Sequence, residues 1–185
     1  MSEAPSTSRH DTLGALGLVL ALLVGWVIWP RLMPARAAAL VGQEAPDFRL
    51  ELVADGAKPM GDGSSLALRE LRGRAVLLDF WATWCGPCRA EAPILDAMAR
   101  RWGDRGLTVV GVNIDTPGQG DPRAFAVRHA LSYPIVRDAA GQASRSYGVE
   151  SMPTLVLVSR TGRVVAVHSG VTGDAELERM IHEVL

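Results

Sequence analysis

From Ala75 to Trp81 the chain reads Ala-Val-Leu-Leu-Asp-Phe-Trp, a nearly continuous apolar run broken by one carboxylate. Such a run predicts a strand covered on both faces, because a strand with one wet face alternates instead. A second run, Leu107–Asp115, has the same character. Between them Pro87–Trp102 reads as a helix closed by Gly103, with Arg100 and Arg101 near its negative end. Downstream, Asp121 is placed to cap a helix over Pro122–Leu131, with Pro122 at its first position. Ile135–Arg137 is a short strand, and Ala139–Tyr147 a short helix stopped by Gly148. Thr154–Ser159 and Val164–His168 are strands joined by Arg160-Thr161-Gly162-Arg163, a hairpin signal. Asp174 is read as the cap of a last amphipathic helix to Leu185, with Leu177, Met180, Ile181 and Val184 on one face. Upstream, Asp47–Val53 alternates as a half-buried strand, Ala54–Ser65 is a loop or hairpin, and Leu66–Arg72 is a short helical turn stopped by Gly73. Together these elements predict an α/β sandwich with a central mixed sheet flanked by helices.

The chain has 185 residues, 48% apolar and 21% charged, which suits one packed domain plus an appendage. A formal net charge of −1 without a basic stripe argues against nucleic acid as a partner. The appendage is N-terminal. After a tail over 1–12, no charged residue occurs from Leu13 to Trp29, a stretch that as a helix reaches roughly 25 Å against a hydrocarbon slab of roughly 30 Å. Trp26 and Trp29 sit at one end, where indoles favour the headgroup boundary, and Arg31 can snorkel outward. A single-pass anchor over 13–30 is the leading expectation. A signal peptide is the competing one, since Ala35-Arg36-Ala37 and Ala37-Ala38-Ala39 satisfy the small-residue rule for cleavage. Arg9 before the span opposes Arg31 and Arg36 after it, so charge alone does not orient it. A tether over 31–41 then leads into the globular part, 42–185.

The chemistry is carried by Trp84-Cys85-Gly86-Pro87-Cys88, which holds the only two cysteines. Cys85 lies before the first turn of the expected helix, where unpaired N–H groups and the positive helix end favour a thiolate. Cys88, one turn in, can close a small disulfide with it. Pro87 has no N–H to lose in the first turn. The expected chemistry is thiol–disulfide exchange: Cys85 attacks a partner disulfide and Cys88 resolves the mixed disulfide. Zinc would need two further ligands, and the four histidines (His10, His129, His168 and His182) are scattered, so neither metal nor cofactor is expected. His129 and His168 are read as structural. A purely structural bridge so short would restrict almost no chain entropy.

Asp79-Phe80-Trp81-Ala82-x-Trp84-Cys85-Gly86-Pro87-Cys88 resembles the active-site run of thioredoxins. Gly42-x-x-Ala45-Pro46-Asp47-Phe48-x-Leu50, Cys88-x-x-Glu91-x-Pro93 and Tyr147-Gly148-Val149-x-x-Met152-Pro153-Thr154 resemble the TlpA/ResA-like branch, and the likeness spans about 42–185. That resemblance implies a thioredoxin-like fold and a membrane-tethered or secreted bacterial oxidoreductase. It implies that Asp79 is a buried acid exchanging protons with Cys88, and that Glu91 shapes the proton affinity of the cysteines and partner recognition. It further implies a cis Pro153 beside the sulfurs, with Met152 pairing its backbone to a substrate and Trp84 forming part of the docking surface. Trp81 is either core or surface. Pro93 is expected to bend the helix.

Combined with the apolar span, the resemblance places the domain at the bacterial inner membrane, facing the periplasm or cell exterior. A Gly-Pro pair between the cysteines belongs to the reducing end of the disulfide scale. The expected activity is therefore reduction of partner-protein disulfides, apocytochrome c or an oxidase copper-site protein being candidates, with electrons from a membrane donor. Two other readings stay open: a copper metallochaperone holding Cu(I) between Cys85 and Cys88, and a peroxiredoxin-like peroxidase suggested by Ala45-Pro46-Asp47-Phe48.

Overall fold

A computed structural model describes residues 19, 22–24, 37–56 and 63–185. The chain divides into two units, Met1–Ala35 and Arg36–Leu185. The expected tail, most of the expected anchor and residues 31–36 of the expected tether lie outside the described residues; of the apolar run only 19 and 22–24 are described, as helix. Among the described residues no helix is long and apolar enough to cross a membrane.

The second unit is a mixed sheet between two layers. Its strands are β1 (Arg49–Ala54), β2 (Ser65–Ala67), β3 (Ala75–Trp81), β4 (Leu107–Asn113), β5 (Ile135–Arg137), β6 (Thr154–Val158) and β7 (Val164–Ser169). Its α-helices are α1 (Gly86–Trp102), α2 (Pro122–Arg128), α3 (Gln142–Ser146) and α4 (Asp174–His182). Across the sheet the strands run β2-β1-β5-β4-β3-β6-β7. β4 is parallel to both β3 and β5, and the remaining pairs are antiparallel. Every residue of β3 and β4 is buried, as their unbroken apolar runs require.

Strand pleating sends alternate residues of β3 to opposite faces. Ala75, Leu77 and Trp81 join a core with Ala92, Leu95, Met98 and Trp102 of α1, Phe125 of α2 and Leu177 and Ile181 of α4. Val76, Leu78 and Phe80 join a second core with Tyr147, Phe48, Leu68 and Leu71. Removing one leucine side chain from water contributes about 1.5–3 kcal/mol, so two such layers hold β3 from both sides. The parity leaves Asp79 on the α1 face.

Several boundaries differ from expectation for local reasons. Leu66–Arg72 is not a single helical turn: Ser65–Ala67 forms β2 against Arg49–Glu51, and a 3-10 turn, Leu68–Leu71, follows. Three residues carry too little periodicity to show a strand. α2 ends at Arg128, and Ala130 then takes a left-handed φ of 51°. α3 is held from further back than a regular cap, with Asp138 accepting the Ala143 and Ser144 amides at 3.2 and 2.8 Å. Asp174 is the first helical residue of α4 rather than its cap, and the N-cap position falls to Gly173 with no side-chain bond. α1 runs from Gly86 to Trp102 with Pro93 inside it.

Candidate active site

β3 delivers the chain to the C-terminal edge of its parallel pair, and the sharp passage 82–85 turns it into α1. The Cys85 amide bonds back to the Ala82 carbonyl at 3.1 Å. Cys85 is the N-cap residue of α1, in extended conformation, with Gly86 and Pro87 opening the helix. Its Sγ accepts the Cys88 amide at 3.2 Å, so a helix-start N–H of the kind that seeks an acceptor already points at sulfur. Cys85 and Cys88 are joined as a disulfide with Cα atoms 5.3 Å apart. Both are nearly buried, whereas Trp84, one residue before, is 55% exposed.

The buried positions of α1 are Cys88, Glu91, Ala92, Leu95, Met98 and Trp102, a single stripe facing the sheet. Glu91 therefore lies one turn inward from Cys88, on the same side as Asp79 of β3. Both carboxyls are buried, and Asp79 Oδ1 and Glu91 Oε2 have no hydrogen-bond partner. Burial pushes the Asp79 carboxyl well above the usual range, and the charge of Glu91 adds to the rise. Burial also raises Glu91, opposed by the Thr172 amide and by His168. That amide, in the loop between β7 and α4, donates to Glu91 Oε1 at 2.7 Å. Tyr133 is raised by burial first and then by Asp79, Asp96 and Glu91.

The Met152–Pro153 peptide is cis. Pro153 is buried and its carbonyl accepts the Gly170 amide at 2.9 Å. Met152 is partly buried against the same core that contains Cys85 and Cys88. Trp81 is 2% exposed and belongs to that core too, which settles it as interior. Its ring stands 4.4 Å from Phe125, and Phe125 stands 4.3 Å from His129. Gly111, paired with Asp79 across β3 and β4, leaves room for Trp81: a Cβ there would sit 3.0 Å from the indole nitrogen.

Asp79, Glu91, Cys85, Cys88, Met152, Pro153 and Trp84 thus gather at one end of the sheet. Sequence reasoning did not single out Thr172, which has no pattern around it. Among the described residues no group of three or more His, Cys, Asp or Glu side chains is placed to hold a metal ion.

Residues 41–167 match the AhpC/TSA family. The chain is 32% identical over 165 residues to thiol-disulfide oxidoreductase ResA of Halalkalibacterium halodurans, covering 89% of this chain and 86% of the relative. It is 32% identical over 170 residues to thioredoxin-like protein YneN of Bacillus subtilis, covering 89% and 94%. A crystal structure from Chlorobium tepidum, assigned as thiol:disulfide interchange protein DsbE, superposes with a TM-score of 0.66 at 35% identity, over 76% of this chain and 94% of that one. A bonded cysteine pair at a helix tip, on a scaffold shared with these proteins, leaves one assignment: the chain belongs to the AhpC/TSA family and is a thioredoxin-like thiol-disulfide oxidoreductase.

Proposed function

We propose that this protein is a membrane-tethered bacterial disulfide reductase whose domain, 42–185, works on the periplasmic or outer side of the inner membrane. The observation that carries the chemistry is the Cys88 amide aimed at Cys85 Sγ from the first turn of α1. Once the bridge is opened, the same N–H and the helix end stabilise a Cys85 thiolate. That thiolate attacks one sulfur of a partner disulfide; a Cys85–partner bond forms and the partner's second sulfur leaves as thiolate. Cys88 then loses its proton to Asp79 in its carboxylate form and attacks Cys85 Sγ, closing the Cys85–Cys88 bond and releasing the partner's first sulfur as thiolate. Two electrons pass from the dithiol to the partner.

A carboxyl with a raised proton affinity suits that acceptor role, because it can take a thiol proton without becoming a strong acid. Glu91, tied to the Thr172 amide, tunes the same proton exchange. Exposed Trp84 and the Met152–Pro153 segment form the docking surface for an extended substrate. The apolar run Leu13–Trp29 supports the tether, and the Gly-Pro pair supports a reducing direction. Electrons arrive from a membrane donor, since the chain has no second thiol pair. Apocytochrome c or an oxidase copper-site protein is the proposed substrate class.

The test is Cys88→Ser in native membranes. Mixed disulfides through Cys85 are expected to accumulate, and mass spectrometry identifies the partners. Absence of adducts on Cys85 in that variant, or peroxide turnover faster than disulfide exchange in the wild type, would overturn the reading.

A further inference from the structure

The passage 82–85 carries both Trp84 and Cys85, and it is gripped from the neighbouring strand. Asp115, two residues beyond β4, is 3% exposed. Both of its oxygens accept the Thr83 amide, at 3.3 and 3.2 Å. Oδ2 also accepts Nδ2 of the fully buried Asn113 at 3.0 Å, and Asn113 Oδ1 accepts the Asp115 amide at 3.3 Å. The Ile114 amide donates to the Trp81 carbonyl at 3.0 Å. On the solvent side lies the loop from Thr116 to Asp121. It is braced by the Gln119 amide on the Thr116 carbonyl and the Thr116 amide on Gln119 Oε1, both at 3.0 Å. Its Gly120 approaches so closely that a Cβ there would overlap the Thr83 hydroxyl and stand 2.9 Å from Thr83 Cβ.

A buried carboxylate is costly wherever an apolar residue would fill the space. What Asp115 supplies that such a residue cannot is a fixed acceptor for the Thr83 amide. The need is greatest in the attacking state. With the bridge open, Cys85 loses its covalent link to Cys88, and the backbone on its N-terminal side must hold the sulfur in place. Exchange needs the thiolate aligned with the partner's sulfur–sulfur bond, and misplacement by about 1 Å can cost up to about a hundredfold in rate.

We propose that Asp115 is a positioning residue for disulfide exchange. By clamping the Thr83 amide it fixes the direction in which Cys85 Sγ and Trp84 meet a partner, while the Thr116–Asp121 loop presses the same turn from outside. This rests on Cys85 as the leading sulfur.

The experiment uses the reduced full-length chain in detergent micelles. It measures second-order rates toward insulin disulfides and toward 5,5′-dithiobis(2-nitrobenzoate), with the folded fraction read by circular dichroism. Asp115→Ala is expected to slow both reactions about tenfold while folded, and Asp115→Asn, which keeps an acceptor, to stay within about threefold of wild type. Gly120→Ala is expected to slow exchange as Asp115→Ala does, and Thr83→Gly added to it to restore the rate. Wild-type rates in folded Asp115→Ala or in Gly120→Ala overturn the proposal, as does an Asp115→Asn variant no faster than Asp115→Ala. If Asp115→Ala does not fold, the Gly120 pair decides. Alkylation of the wild type mapped by mass spectrometry shows separately which sulfur leads, so failure of that assignment is distinguishable.

Discussion

Replacing Asp79 by Asn should change how the stability of the oxidised protein depends on pH. The carboxyl is 4% exposed and lacks a partner at Oδ1, and burial with the nearby charge of Glu91 raises its proton affinity well above that of an unfolded chain. Folding therefore takes up a proton between the unfolded titration, near pH 3.9, and the higher folded one. Stability from this group is fully present below the unfolded value and is lost as pH rises through the folded value. Within that window one group contributes a slope of about 1.4 kcal/mol per pH unit, against a domain stability of about 5–15 kcal/mol. Asn is nearly isosteric and does not titrate, so Asp79→Asn should lack that slope and gain stability relative to wild type as pH rises. Glu91, also raised, titrates in both proteins, and because its charge acts on Asp79 the difference between the curves reports Asp79 together with its coupling to Glu91. Urea unfolding followed by tryptophan fluorescence, at half-unit steps from pH 4.5 to pH 8, reads the difference. Parallel curves for the two proteins over that range would refute the claim that a buried neutral Asp79 costs stability on ionisation.

Trp84→Ala should leave stability within about 0.5 kcal/mol, because the side chain is 55% exposed. It should raise KM for a protein disulfide several-fold with kcat little changed, as steady-state insulin reduction can show. Leu157→Ala, at a fully buried position of β6, should cost about 2–5 kcal/mol in urea titrations, with the spread set by how far the site collapses.

The fold was legible where burial is total. β3 and β4 are covered on both faces, so their composition alone marks them, and the helix between them carries its own stop at Gly103. Legibility failed where a segment's state is decided elsewhere in the chain. β2 exists because Leu66 registers opposite Leu50, which a three-residue stretch cannot encode by itself. Gly173 rather than Asp174 takes the cap position, directly after Thr172, whose amide is bonded to Glu91 of α1. In the site, the cysteine spacing carried its own chemistry, and Asp79 stood out as a charge inside an apolar run. Asp115 did not, since it closes its run where polar residues are ordinary, and only the neighbouring strand shows what it grips.

One feature of the chain's approach to the domain bears on its solubility. β7 is an outer strand of the sheet, and such a border invites a foreign chain to add itself. Here the protein covers part of it with its own backbone. The Gly42 amide donates to the Val164 carbonyl at 2.8 Å and the Val164 amide to the Gln43 carbonyl at 2.9 Å, while the Ala45 amide reaches Gly162 at 2.9 Å. Any processed form starting past Ala45 would leave that border bare. Self-association through β7, rather than loss of redox chemistry, would then be its first defect.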